Sequence, residues 1–93
     1  SFHYDANPTA GTFGNDTITD PETTDKIVIV NAVDIATLDS RSTIVKNGTT
    51  SVTATILTAA GGTVIGSITI NAYDGDATSW QGINDNLILV VAS

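Results

Sequence analysis

A chain of 93 residues makes one small domain, and without cysteine it has no disulfide staple, thiolate metal site or thiol nucleophile. Ten acidic residues against Lys26, Arg41 and Lys46 give a formal net charge of −7, which opposes binding to nucleic-acid phosphates and to anionic membranes. The longest apolar runs, IVIV at 27–30 and LILVVA at 87–92, fall far short of the roughly 20 residues a spanning helix needs, and no basic-then-apolar leader opens the chain as given, so a soluble protein is expected.

Residues 1–25 hold few apolar groups: Phe2, Tyr4, Ala6, Ala10, Phe13 and Ile18. They also hold both prolines, Pro8 and Pro21, and half of the acids. Such a segment has too little apolar surface for a core of its own. It reads as an extended N-terminal arm that docks elsewhere through its bulky groups, or else as a floppy terminus.

Residues 26–93 read as a β-domain. KIVIVNAV is rich in β-branched residues, and both faces of IVIV are apolar, which predicts a strand covered on two sides. DIATLDSRSTIVK follows, with a turn expected at 39–42. Asn47-Gly48 fits a two-residue type I′ hairpin turn into TTSVTATILTA. There Val52, Ala54 and Ile56 share one face, with Thr53 and Thr55 on the other. Gly61-Gly62 makes a second hairpin turn into TVIGSITINAY, where Val64, Ile68 and Ile70 share a face and Gly66 marks a bulge or a close backbone approach. DGDATSWQGINDN is a loop dense in turn formers, with a helical turn expected near 78–83, and LILVVA closes as a strand. No stretch keeps a three-to-four-residue apolar spacing over a helical length. The pattern predicts an all-β fold: five or six antiparallel strands in a small sandwich or barrel, with residues 1–25 as its arm.

The segment GTFGNDTIT at 11–19 resembles the calcium-binding nonapeptide of secreted β-rolls, G-G-x-G-x-D-x-U-x, matching at Gly11, Gly14, Asp16 and Ile18. Calcium takes six to eight oxygens from stacked copies of that turn, and the chain has one copy. Its continuation, DTITDPETTDKIVI, resembles the segment that closes a β-roll in repeat-in-toxin proteins, with Pro21 where those place an aromatic. Asp74-Gly75-Asp76 departs from the EF-hand loop and reads as a turn. No metal ligand set is therefore assigned to Asp16 and Asp20 or to Asp74 and Asp76, and no cofactor is expected.

Catalytic patterns are weak. His3 is the only histidine and lies in the arm, and the only glutamate, Glu22, lies there too. No nucleophile elbow, Ser-x-x-Lys or phosphate loop is present, so an enzyme is not expected. Trp80, the single tryptophan, reads as a cap on the end of the core, or as an aromatic face for a sugar or a protein.

A soluble, acidic, Thr-rich, cysteine-free β-domain with an arm suits assembly. In type, though not by any motif, the chain resembles the small β-rich decoration or cement proteins of tailed bacteriophage heads. That resemblance implies a structural virion protein that binds and stabilises a capsid shell through its arm and apolar strand edges. Capsid proteins or identical subunits would be the partners in a homo-oligomer, with no nucleic acid or membrane. Phe2, Tyr4, Phe13, Ile18 and Trp80 are the interface residues this reading expects, and the virion surface is the location. One alternative is a subunit of an extracellular filament or surface layer built by strand donation. Another is a calcium- or sugar-binding extracellular module.

Overall fold

The computed structural model describes residues 2–7, 11–19, 26–48, 51–71, 78–84 and 88–92. Within them run β1 (Phe2–Asp5), β2 (Gly14–Ile18), β3 (Lys26–Val30), α1 (Ile35–Ser40), β4 (Ser42–Asn47), β5 (Ser51–Leu57), β6 (Val64–Asn71), α2 (Trp80–Asn84) and β7 (Ile88–Val91). The strands form two sheets, ordered β1-β3-β7 and β2-β6-β5-β4. One core lies between them. Tyr4, Ile27 and Ile29 enter it from the first sheet, and Ile18, Val52, Ile56, Ile68 and Ile70 from the second.

The fold is β-rich and sandwich-like, but the uniformly antiparallel expectation is corrected. β1 with β3, β3 with β7 and β2 with β6 are parallel, and only the consecutive strands β4, β5 and β6 pair antiparallel. Among the described residues no barrel closes. The reason lies in the connections. The chain passes from β1 in the three-stranded sheet to β2 in the four-stranded one and back to β3, which lies parallel beside β1. After the β4–β5 hairpin it repeats the move, with β6 beside β2 and β7 beside β3. Alternation between sheets returns each strand in the same direction as its predecessor, as in a flat two-sheet coil. The strand expected to be covered on two sides is fully buried on one: Ile27 and Ile29 face the core, and Val28 and Val30 on the other face are half-buried.

The described parts of residues 1–25 belong to this coil and do not stand apart as an arm. β1 and β2 are edge strands of the two sheets, and Tyr4, Ala6 and Ile18 are buried. The segment is too poor in apolar groups to fold alone, and it reaches burial by contributing one strand to each sheet.

Within 26–93 most of the periodicity holds. Val52, Ala54 and Ile56 are buried, and their neighbours Thr53 and Thr55 sit on the outer face. Opposite Ile56 and Leu57 of β5, which pair with Gly66 and Val64, β6 carries one extra residue, so Ile65 is buried in the place expected for Val64, which is exposed. Gly66 is a close approach: a Cβ built there would come within 2.5 Å of the Phe13 ring. The β4–β5 link is longer than a two-residue turn. Asn47 stays in register with Ser51, so the connection is 48–50, entered through Gly48 at φ 67°.

Two short helices accompany the strands, and only the first was not expected. α1 forms because Asp34 caps it: its Oδ1 accepts the Thr37 N–H at 2.7 Å, and that bond holds the Asp34 carboxyl below the usual carboxylate range. Leu38 is its buried anchor. α2 is the helical turn expected around 78–83.

Candidate functional site

Four of the five residues expected at an interface gather at one end of the coil, where β1 and β2 are the outermost strands. Tyr4 lies on β1 and is buried. Its phenolic O–H donates to Asp16 Oδ2 on β2 at 2.6 Å, tying the two sheet edges together. Phe13 packs against Tyr4 with ring centroids 5.2 Å apart and lies over Gly66 of β6. Phe2 is half-buried against the core, and Ile18 is inside it. Their side chains therefore serve the chain's own core, while the main-chain edges of β1 and β2 stay open. Among the described residues neither edge has a neighbour.

The main chain shows which groups face outward. Ala6 N–H donates to Val30 C=O, and Phe13 N–H donates to Ile65 C=O, at 2.9 and 3.1 Å. By strand alternation, His3 and Asp5 on β1, and Gly14 and Asp16 on β2, turn their N–H and C=O groups away from the sheets. These groups form two parallel-strand edges side by side.

Burial, then the bond to Asp16 and the nearby carboxylate charge, push the Tyr4 phenol well above its ordinary value. The folded chain thus keeps a proton that the unfolded chain loses above about pH 10. Stability is unaffected below that pH and falls as pH rises through it. Urea midpoints of the wild type are expected to decline above about pH 10, and those of Tyr4→Phe to decline less steeply. Parallel slopes in the two proteins would remove Tyr4 from the account.

Trp80 is elsewhere, packed where α2 meets α1 and the start of β4. It is 0% exposed; its N–H meets Asp39 Oδ1 at 2.6 Å and its Nε1–H meets Ser42 Oγ at 2.9 Å. Trp80 is thus part of the core cluster in this structure.

Sequence reasoning missed Arg41. Its guanidinium is 8% exposed and donates to the carbonyls of Ala6, Leu57 and Asn31 at 2.7, 3.3 and 3.5 Å. Those carbonyls stand at the ends of β1, β5 and β3, so one side chain fastens both sheets at the end of α1. Beside it is a cleft of about 360 Å³ between the corner at Asn31–Val33, α1 and Thr58–Ala60. Val33 has φ 69°, with the Asp34 N–H bonded back to the Ala32 carbonyl, a tight reversal that β-branched residues rarely adopt.

No protein-family model, curated protein or solved structure matches the chain. Its function is therefore read from its own geometry. Asp16 is occupied at both oxygens, by the Tyr4 O–H and the Thr17 N–H. No group of three or more metal-ligating side chains comes together among the described residues, and His3 is exposed. Asp20, Asp74 and Asp76 lie outside the described residues.

Proposed function

We propose that the chain is a structural module that closes or joins an extracellular assembly by strand addition, with the β1 and β2 edges as its docking end. The observation that carries this reading is the alternating, parallel path of the chain between two sheets. A coil of that kind continues when a further strand pair lies parallel against each open edge. The module would then end or link a longer two-sheet coil, and the β4–β5 hairpin would complete its far side. The likeness of GTFGNDTIT and DTITDPETTDKIVI to the closing part of secreted β-rolls points the same way. Amide hydrogen exchange tests it. His3, Asp5, Gly14 and Asp16 should exchange quickly in the isolated chain and be protected in its native assembly. Equal rates in both states would refute strand addition at this end.

The placement of acids favours the decoration of a virion shell as a second reading. All ten acidic residues fall within 1–39 and 74–93, and none falls within 40–73, which supplies β4, β5 and β6. The outer face of those strands is a plane of small neutral groups: Thr43, Val45 and Asn47, then Ser51, Thr53 and Thr55, then Ser67, Thr69 and Asn71. A subunit lying with this face on a protein shell would turn its acids to solvent. Cosedimentation with empty capsids is expected on this reading, and recovery of all the protein in the supernatant would exclude it.

A further inference from the structure

We infer that the cleft beside Arg41 binds a small aliphatic carboxylate, with the acid group toward the Arg41 guanidinium and the apolar chain between Val33 and the turn at Thr58–Ala60. Three independent observations meet there.

The first is the shape and lining of the space. The cleft, of about 360 Å³, opens between Asn31–Val33 and Thr58–Ala60 with α1 as its third wall, and that is the size of a small-ligand site. Ala32, Val33, Ala59 and Ala60 supply apolar surface, and Arg41 is the one charged residue of the lining. There is no aromatic ring among these residues to stack a planar ligand and no acid to meet a cation.

The second is the charge. Arg41 is almost wholly buried, yet its three acceptors are neutral carbonyls. Only the bond to Ala6 is short, at 2.7 Å; those to Leu57 and Asn31, at 3.3 and 3.5 Å, are long for an N–H donor. The two long bonds lead to opposite walls, since Asn31 belongs to one and Leu57 directly precedes the other. The guanidinium therefore lies where the walls converge. Arginine carries five N–H donors, and these bonds use three of them. A buried charge is costly until an opposite charge or a full set of hydrogen bonds meets it. Among the described residues no carboxylate does so. The acids nearest in sequence are engaged elsewhere: Asp34 caps α1 at Thr37, and Asp39 accepts the Trp80 N–H. A ligand carboxylate supplies both the charge and the acceptor oxygens that the site lacks.

The third is the backbone. Val33 stands at φ 69° in a reversal closed by the Asp34 N–H on the Ala32 carbonyl, a strained turn for a β-branched residue. Strain of this kind clusters at ligand clamps. The turn leaves Val33 61% exposed on the rim of the cleft. An aliphatic chain laid against it would take that apolar surface out of water. The inference depends on neither functional reading.

Amide chemical shifts of the nitrogen-labelled chain, titrated with sodium hexanoate at fixed ionic strength, provide the test, with hexanamide as the uncharged control. Hexanoate should give saturable shifts at Val33 and at 58–60, and should bind about ten-fold more tightly than hexanamide, because a charged acceptor strengthens the bond to Arg41. Ala60→Leu, on an exposed turn outside the core, should fill the cleft and abolish the shifts while the circular dichroism stays that of the wild type. Val33→Gly should keep the fold, because glycine takes a positive φ without strain, and should weaken hexanoate binding several-fold. No saturable shift with hexanoate, equal affinity for hexanoate and hexanamide, shifts centred on Lys26 or Lys46 instead, or wild-type binding by either variant would each overturn the inference.

Discussion

Trp80→Ala is expected to remove about 3–5 kcal/mol of folding stability. For a domain this small, that lowers the melting temperature by roughly 15–30 °C. The indole is fully buried between the two helices and the start of β4, so its removal leaves a cavity that neighbours close only in part. It also ends the Nε1–H bond to Ser42 Oγ, whose own hydroxyl donates to the Leu38 carbonyl at 2.6 Å. Trp80→Phe separates the two contributions. It keeps most of the ring volume and loses the bond, and should cost about 1–2 kcal/mol. Thermal melts followed by circular dichroism measure both. A loss below about 1 kcal/mol for Trp80→Ala would mean that the helices do not depend on the ring.

The second large effect is expected at Arg41. Arg41→Met keeps the aliphatic stem but strands the carbonyls of Ala6, Leu57 and Asn31, and should cost about 2–4 kcal/mol. Arg41→Lys should recover only part of the loss, since one ammonium does not reproduce the planar fork of donors. The three acceptors are carbonyls and not carboxylates, so the difference between wild type and Arg41→Met should be nearly independent of salt. A marked salt dependence in urea titrations would reveal an acidic partner for Arg41 and change the account of how the sheets are fastened.

The β character and the core face of β5 were legible because burial imposes a period of two, which Val52, Ala54 and Ile56 display without ambiguity. Parallel pairing was not legible. IVIV carries the apolar continuity of a buried parallel strand, but its partners are Phe2–Asp5 and Ile88–Val91, at opposite ends of the chain. Nothing local encodes that meeting. α1 escaped notice because six residues are shorter than any window in which helical spacing stands out; its signal was the single cap Asp34-x-x-Thr37. The end of the fold where β1 and β2 lie was half visible. The bulky groups of the first 18 residues were recognisable as needing a surface, and that surface turned out to be the chain's own sheets. Arg41 had no signal beyond its isolation, since its acceptors are backbone carbonyls, which every residue possesses.

The place of β3 has a consequence for the order of folding. β4, β5 and β6 are neighbours in sequence and close through short hairpins, which is fast. β3, by contrast, sits between two strands drawn from opposite ends of the polypeptide. Its sheet cannot be finished until residues 88–91 have been synthesised and have travelled back past everything made after Val30. Until then β3 has a hydrogen-bonded neighbour on one side only. Maturation of this domain is thus timed by its last strand, and a nascent or threaded chain stays open until that strand arrives.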